Sequence, residues 1–244
     1  MIEVLPVYGV PEVEPGADLA SMIVAVAPDL RDGDVVIVAQ KVISKAEGRL
    51  RRLADVEPTR EALDLIPKLL AGAEARLVQV ILDESVRVVR AERVIIAETR
   101  HGYVCANAGV DHSNVPAGVV CLLPLDPDTS AERLRDRFHE LTRCRVGVII
   151  SDTFGRPWRM GIANVALGVA GLPALIDYRG RPDDFGRLMT GTTVAVADEL
   201  AAAAELVMGK TRRVPAAIVR GYEADEPVGH GSDLVMPADL DLFR

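Results

Sequence analysis

The sequence predicts an α+β fold, in which mixed β-sheets carry flanking helices. Apolar strand-like runs and amphipathic helical segments occur throughout the 244 residues, but they do not alternate strictly as strand, helix, strand. A strict alternation would favour a doubly wound parallel sheet instead. Apolar residues make up 49% of the chain, which is enough to bury a sizeable core in one large domain or two small ones.

The N-terminal part of the chain alternates between turn signals and apolar segments. Pro15-Gly16 and Asp32-Gly33-Asp34 are turn sequences, and each precedes an apolar segment. The segment 35–39 is entirely apolar, which is typical of a buried strand. The apolar residues of 59–70 recur at helical spacing. The predicted elements are, in order, a strand at 2–7, a helix at 19–26, a strand at 35–39, and helices at 59–70 and 77–84.

The rest of the chain combines short strands with two longer helices. The segment 130–143 is predicted to be a charged amphipathic helix with Ser130 as its N-cap, and the Ala-rich segment 198–208 a helix that Asp198 is placed to cap. The run 146–150 is apolar and bounded by charge, so it predicts a buried strand. The other predicted strands lie at 94–97, 103–106, 119–123, 192–197 and 214–219, and 162–169 is a small apolar run.

Composition and charge exclude several classes of function. The net charge is −8 and no basic tract occurs, so general nucleic-acid binding is not expected. An anionic ligand would need a local positive pocket, for which the candidates are Lys41, Lys45, Arg156, Arg159 and Arg179. The N-terminus lacks a basic start, and no run of about 18 apolar residues exists, so we expect neither a signal peptide nor a membrane span. The three cysteines, Cys105, Cys121 and Cys144, are well separated and odd in number, which fits free thiols in a reducing cytoplasm.

The strongest chemical signal lies directly after the apolar run 146–150. Asp152 and Thr153 leave the expected carboxyl end of this strand, where α/β-type sheets commonly place ligands. Carboxylate and hydroxyl oxygens are ligands of the kind that a hard divalent cation needs. Arg156 and Arg159 follow, and we expect them to place positive charge beside Asp152. The segment therefore suits chemistry on a nucleotide.

Two further polar segments allow both a functional and an ordinary interpretation. The cluster 40–45 follows the strand predicted at 35–39. It is either a solvated loop or a site in which Lys45 is a point charge for a phosphate group. Asp111 lies between Gly109-Val110 and Asn114, and on its own it is more simply explained by an Asx turn than by ligand binding.

The segment Gly209-Lys210-Thr211 is not a phosphate-binding loop. The P-loop pattern needs a glycine where this chain has Ala204, and it opens a helix, whereas this segment closes one. A glycine at the C-terminus of a helix, followed by basic residues, explains the segment better. We therefore expect Lys45, rather than Lys210, to serve a bound nucleotide.

Five segments occur together along the chain. They are LPVYGVPE at 5–12, AQKVISKAEG at 39–48, NAGVDHSN at 107–114, SDTFGRPW at 151–158 and ADELAAAAELVMG at 197–209. In order and spacing they resemble the coenzyme F420:L-glutamate ligase family, the F420-0 gamma-glutamyl ligases. The resemblance runs nearly from end to end, through 215–221, and five coincident segments are far more specific than any single motif.

The resemblance implies a GTP-dependent ligase that adds L-glutamate to the glutamate-free precursor of coenzyme F420, and in some cases a second, γ-linked glutamate. It implies an acyl-phosphate intermediate, two divalent ions (Mg²⁺ or Mn²⁺) and assistance from a monovalent cation such as K⁺. The implied fold is a family-specific α+β one, assembled as an intertwined homodimer. The implied partners are small molecules, with no nucleic acid and no membrane.

The resemblance also carries over to individual positions. Asp111 and Asp152 would ligate one divalent ion, Thr153 would contribute to a second, and Lys45 would supply a fixed positive charge. The expected catalytic residues are therefore Lys45, Asp111 and Asp152. The residues expected along the GTP are Val10, Pro11, Glu12, Val13, Gln40, Lys45 and Asn114.

Other features stay open. Many relatives carry Gln or Glu where this chain has Lys210, so the ligands of the second ion are undetermined, with Glu199 or water as the alternatives. The glutamate pocket has only candidates, namely Arg156, Arg159 and Arg179. Some relatives continue into a flavin reductase-like domain, whereas we expect a single ligase domain at 1–244 here. An amide ligase of the same fold with another acceptor, or a non-catalytic nucleotide-binding regulator, is the alternative function.

Overall fold

The structure, a computed structural model, describes residues 1–70, 72–223 and 226–241. These residues form twelve β-strands and six α-helices. The strands are β1 (Glu3–Val7), β2 (Val35–Ala39), β3 (Leu50–Arg52), β4 (Ser85–Glu92), β5 (Val94–Thr99), β6 (Val104–Ala106), β7 (Val119–Cys121), β8 (Gly147–Arg156), β9 (Arg159–Ala170), β10 (Ile176–Asp177), β11 (Thr193–Val194) and β12 (Ala216–Arg220). The helices are α1 (Leu19–Val24), α2 (Gln40–Ala46), α3 (Arg60–Leu65), α4 (Ala75–Asp83), α5 (Pro127–Thr142) and α6 (Val196–Met208).

A five-stranded sheet forms the centre of the molecule, with its strands in the order β1, β12, β2, β8 and β9. β2 and β8 are parallel neighbours, and the other neighbouring pairs are antiparallel. Successive side chains of a strand point to opposite faces of the sheet. Val36 and Val38 therefore pack on one face with Phe138 of α5, whereas Ile37 packs on the other face with Leu200 of α6.

Residues 50–122 build a smaller set of sheets with a core of their own. β4, β5 and β6 form an antiparallel sheet, β3 pairs with β7, and α3 and α4 pack on this part through Ala62, Val80 and Ile81. Two backbone hydrogen bonds join Asp111 to Cys121 of β7, so this part of the fold determines where Asp111 lies. Several sheets with packed helices and no strict alternation confirm the predicted α+β class.

The sequence interpretation was wrong at two places that matter for function. The cluster 40–45 is not a loop but helix α2, which begins directly after β2. Its few apolar residues still form a helical face, because Ile43 is buried in the core and Val42 packs beside it. The second error concerns β8, which does not end at Ile150 but continues to Arg156 and pairs with β9 as a hairpin. Asp152 and Thr153 are therefore strand residues.

Both predicted N-caps were also wrong, because another residue sits at the start of each helix. Asp126 caps α5 by accepting from the Thr129 backbone N–H, and Pro127 occupies the first turn, where no N–H is needed. Ser130 lies buried inside the helix and donates to Glu47. Helix α6 begins at Val196, and the Asp198 carboxylate accepts from the Ala166 backbone N–H instead of capping.

Several other elements differ from expectation. The helix predicted at 59–70 stops at Leu65, because Pro67 lies in the 3-10 turn that follows. Of 192–197 only Thr193–Val194 is a strand. β3, β4 and β10 were not expected, and β9 was indicated only as the small apolar run 162–169. The other elements lie within a few residues of their predicted positions.

Two expectations about the whole chain can be compared with the structure. The three cysteines are free, as predicted, with Cys105 and Cys121 buried and Cys144 partly exposed. Within the described ranges, every helix is too short or too polar to cross a lipid bilayer.

Candidate active site

The carboxyl ends of β2 and β8 lie side by side in the central sheet. The two strands are parallel, and Ala39 is opposite Ser151 in their register. Helix α2 starts at the residue after Ala39, and Asp152 and Thr153 follow Ser151. The polar residues of α2 and the acidic segment of β8, which are far apart in sequence, thus meet at one edge of the sheet.

Helix α2 contacts the loop that carries Asp111. The Lys41 ammonium donates to Asp111 Oδ2 at 2.5 Å, and to the Ser113 carbonyl oxygen at 2.9 Å and Oγ at 2.5 Å. Asp111 Oδ1 also accepts from the Ser113 backbone N–H at 2.7 Å, which is the Asx-turn bond. One carboxylate oxygen of Asp111 therefore stabilises the turn, and the other contacts Lys41 of α2. We name Lys41, Asp111 and Ser113 the Lys41 cluster.

The pKa values of the two aspartates move in opposite directions. Burial acts to raise the pKa of Asp111, but hydrogen bonds from Lys41 and Ser113 hold it below its usual range. Burial, and to a smaller extent the negative charge of Asp111, raise the pKa of Asp152 to about 6, against the opposing effects of the Thr153 backbone N–H, Lys41 and Lys210. The two carboxylates thus feel each other's charge in a poorly solvated place, which a divalent cation between them would stabilise.

A second lysine lies against Thr153. The Lys210 ammonium donates to Thr153 Oγ1, to Asn164 Oδ1 at 3.4 Å and to Glu205 Oε1 at 3.0 Å. The sequence interpretation of Lys210 as a basic residue that only follows a helix was therefore incomplete. Glu205, not the exposed Glu199, is the carboxylate of α6 at this place. We name Lys210, Thr153, Asn164 and Glu205 the Lys210 cluster.

Asn164 and Glu205 were not predicted from the sequence, although each left a signal. Lys41 was a candidate for a positive pocket, and it precedes Lys45 by four residues, which places both on one face of the helix at 40–46. Asn164 is the one polar side chain in the apolar run 162–169, and it is buried. Glu205 is an acidic residue in an Ala-rich helix. Polar residues that interrupt an apolar pattern were the available clue.

The segment expected along the nucleotide is joined to α2 by an ion pair. The Lys45 ammonium donates to Glu12 Oε1 at 2.5 Å, and the side chain of Lys45 is only 10% exposed, against 78% for Glu12. Val13 is buried, Val10 is half-buried and Pro11 is exposed. Lys45 is thus a fixed charge at the base of this segment, with an exposed and exchangeable counter-ion.

Gln40 and Asn114 lie at the first turn of α2 and in the loop beside it. Gln40 is buried, and its Oε1 accepts from Ser44 Oγ at 2.8 Å. Asn114 is exposed, has a φ of 55° and follows Ser113, which contacts Lys41. The fold therefore gathers the predicted nucleotide residues around α2, although no single contact joins all of them.

The arginines considered for the glutamate pocket, Arg156 and Arg179 among them, make their described contacts to residues other than Asp111 and Asp152. Arg156 is four residues beyond Asp152 in an extended strand, which separates their backbones by about 13 Å. It donates to the Met160 carbonyl oxygen near the tip of the β8–β9 hairpin, and Arg159 is its partner in the register. Arg179 forms an exposed ion pair with Asp177.

The donors at this edge fit one divalent cation held together with a ligand, not a complete protein cage. Within the described residues, no group of three or more His, Cys, Asp or Glu side chains is arranged to hold a metal. Asp111 and Asp152 supply two interacting carboxylates. Mg²⁺ is commonly bound by one or two carboxylates plus substrate phosphates and water, which is the arrangement these two residues allow.

The chain matches one protein-family model over most of its length. The family is that of F420-0:Gamma-glutamyl ligase, and the match covers residues 9–221. This range includes every residue assigned above to the two clusters and to the expected nucleotide segment.

Several curated proteins named coenzyme F420:L-glutamate ligase are similar to this chain along nearly all of it. The protein of Methanothermobacter thermautotrophicus is 46% identical over 100% of this chain and 99% of its own length. That of Archaeoglobus fulgidus is 45% identical, with 100% and 96% covered, and that of Methanopyrus kandleri is 48% identical, with 96% and 94% covered.

Proposed function

Because the chain belongs to the F420-0:gamma-glutamyl ligase family, we propose that it uses GTP to add L-glutamate to the glutamate-free precursor of coenzyme F420. The observation that carries this proposal is 45–48% identity to coenzyme F420:L-glutamate ligases over almost the whole of both chains. We assign residues 1–244 to one ligase domain and the reaction to the cytoplasm, where free thiols persist.

The proposed chemistry activates a carboxylate before an amine attacks it. An oxygen of the precursor's carboxylate attacks the γ-phosphorus of GTP, GDP leaves, and an acyl phosphate forms. The amine of L-glutamate then attacks the acyl carbon, the amide bond forms, and inorganic phosphate leaves with the former carboxylate oxygen. Both steps depend mainly on positioning and on stabilising negative charge. A second, γ-linked addition would repeat the same steps on the product.

The residues at the sheet edge suit these tasks. Asp111 and Asp152 would hold one Mg²⁺ or Mn²⁺, which when bound neutralises charge on the phosphates. Lys45, fixed at the base of α2, would exchange the exposed Glu12 for a phosphate oxygen. Lys41 holds the loop that carries Asp111 against α2, and its hydrogen bond helps to keep the Asp111 carboxylate ionised.

The two buried thiols are poorly suited to a covalent thioester route, which favours activation by phosphate. Burial raises the pKa of Cys105 to about 12 and that of Cys121 to about 11. Both therefore stay protonated near neutral pH, and a thiol attacks poorly compared with a thiolate. No Ser, Cys or His nucleophile is needed when GTP supplies the leaving group.

We also propose that the protein acts as a homodimer. Apolar side chains are exposed on the β8–β9 hairpin and on the loop between β10 and β11, among them Met160 at 94%, Ile162 at 61% and Phe185 at 92%. Exposed apolar surface of this kind favours burial against another chain. Light scattering should give about twice the 26.2 kDa chain mass, and a stable, active monomer would contradict the proposal.

The experiment that tests the reaction is mass spectrometry of the precursor after incubation with the protein, GTP, Mg²⁺ and L-glutamate. The mass should rise by one or two glutamyl units, with one GTP consumed for each. Omitting L-glutamate should leave the mass unchanged. If GTP binds and no mass change appears, the protein is a nucleotide-binding regulator. If another carboxylic acid is extended instead, it is a ligase with a different acceptor.

A further inference from the structure

The Lys210 ammonium occupies a position of the kind that a metal ion takes in a protein. Its three partners are oxygens from three separate elements, namely Thr153 Oγ1 of β8, Asn164 Oδ1 of β9 and Glu205 Oε1 of α6. A hydroxyl, a carboxamide oxygen and a carboxylate are also the oxygen types that a hard cation selects. An ammonium has three donors and no acceptor, so it can use all three oxygens.

The oxygens around Lys210 are fixed by bonds among themselves. Thr153 Oγ1 donates its proton to Asn164 Oδ1 at 2.7 Å, and Asn164 Nδ2 donates to Glu205 Oε2 at 3.1 Å. Asn164 is 4% exposed and lies opposite Thr153 in the β8–β9 register. The lone pairs that remain on these side chains therefore point towards one place, and Lys210 fills it.

This arrangement disagrees with the second divalent ion expected at Thr153. A hydroxyl has two lone pairs and one proton. On Thr153 the proton goes to Asn164, and one lone pair accepts from Lys210. A divalent ion on the other lone pair would share its ligand with an ammonium, and like charges repel strongly at such a separation. Among the residues that the structure describes, Glu205 is the carboxylate that contacts this cluster, and it is already paired with Lys210.

We propose, on the basis of the function proposed above, that the Lys210 ammonium replaces the second divalent cation, so that this protein binds a single divalent ion with GTP. Lys210 then provides a permanent positive charge where a relative with Gln or Glu would recruit a metal. Thr153, which Lys210 contacts, directly follows Asp152 in β8, so the ammonium lies beside the remaining ion site.

The test counts the divalent ions bound with the nucleotide. Mn²⁺ is titrated into the protein with a non-hydrolysable GTP analogue, and free Mn²⁺ is measured by electron paramagnetic resonance. The wild-type protein should bind one Mn²⁺ per chain. Lys210→Gln and Lys210→Glu should each bind two, because they restore an oxygen ligand and remove the competing charge. Arg212→Gln is the control, because it also removes one positive charge but at an exposed residue two positions away. This variant should still bind one Mn²⁺.

Each alternative result has a separate meaning. Two Mn²⁺ per wild-type chain would overturn the inference and leave the proposed ligase function intact. One Mn²⁺ in both folded Lys210 variants, verified by circular dichroism, would also overturn it and reduce Lys210 to an ion pair with Glu205. Absence of analogue-dependent Mn²⁺ binding in every protein, including the wild type, would instead contradict the proposed function itself.

Discussion

Two lysines meet the two ends of the candidate site in different ways. In the Lys41 cluster the ammonium is paired with Asp111, a loop residue. The side chain of Asp111 is 38% exposed. In the Lys210 cluster an ammonium contacts Thr153, a strand residue, and is balanced by Glu205 of α6. The first lysine holds a loop in place, whereas the second completes a network built from regular structure.

In the two proposals above, the same kind of contact, an ammonium on an oxygen, prepares a metal site at Asp111 and replaces one at Thr153. Asp111 is charged and close to the charge of Asp152, so a cation shared by the two carboxylates would be stabilised there. Thr153 is neutral, and its bonding capacity is already largely used by Asn164 and Lys210. We therefore propose metal binding at the aspartate end and a fixed positive charge at the lysine end.

The largest effect is expected from neutralising the aspartate end. Asp111→Asn and Asp152→Asn keep the shape of the side chains but remove the charge that a divalent ion needs. Each should reduce turnover by at least about 100-fold, since even the residues that support metal ligands cost 10–100-fold. Turnover is measured at limiting and at excess Mn²⁺, and excess metal should restore part of the loss.

The double variant and the metal-free stability control this experiment. Losses at two residues that serve one ion should be strongly non-additive. Asp152→Asn should not lower the melting temperature of the metal-free protein, because burial already disfavours the charged form of Asp152. If either single variant keeps nearly wild-type turnover at limiting metal, that residue is not a metal ligand, and its role is only structural.

The next effect separates the lysines by their role towards the nucleotide. Lys45→Ala should weaken binding of a GTP analogue by about 10- to 100-fold, the usual value of a hydrogen bond to a charged group. Lys210→Ala should weaken it less, because Lys210 acts at Thr153 and not at the base of α2. Calorimetry in matched salt measures both, and the reverse order would move the phosphate site to Lys210.

The sequence predicted the strands that carry this site better than the side-chain contacts within it. The apolar runs at 35–39 and 146–150 correctly indicated buried strands, since continuous apolar patterns report burial on both faces. The pairs Lys41–Asp111 and Lys210–Thr153 lie 70 and 57 residues apart, and one chain carries no local signal for such contacts. Helix α2 was missed because seven residues rich in polar side chains show too little of the helical period.

A smaller effect should distinguish the two clusters by stability. Asn164→Ala removes a buried amide that bonds to Thr153 and Glu205, which should cost about 1–3 kcal/mol. Ser113→Ala removes an exposed hydroxyl from the Lys41 cluster and should cost at most about 0.5 kcal/mol. Urea unfolding of the metal-free proteins measures both, and equal values would remove the contrast between a loop contact and a network within regular structure.

The smallest effect concerns the counter-ion of Lys45. Glu12→Gln removes a charge that competes with phosphate for the ammonium, so binding of the GTP analogue should become tighter. Because the carboxylate of this pair is exposed, the pair should contribute no more than about 0.2–1 kcal/mol, so the gain should be roughly 1.4- to 5-fold. Glu14→Gln, a neighbouring exposed substitution, should have no effect. Weaker binding in Glu12→Gln would show that Glu12 assists the nucleotide directly.

The most direct test of the proposed ligase chemistry follows an oxygen atom. The precursor is labelled with ¹⁸O in its reacting carboxylate and incubated with the protein, GTP, Mg²⁺ and unlabelled L-glutamate, and the released inorganic phosphate is examined by mass spectrometry. The account predicts one ¹⁸O in phosphate for each amide bond formed, because the carboxylate oxygen leaves with the γ-phosphoryl group. Phosphate that carries only unlabelled oxygen while the amide forms would contradict the acyl-phosphate route.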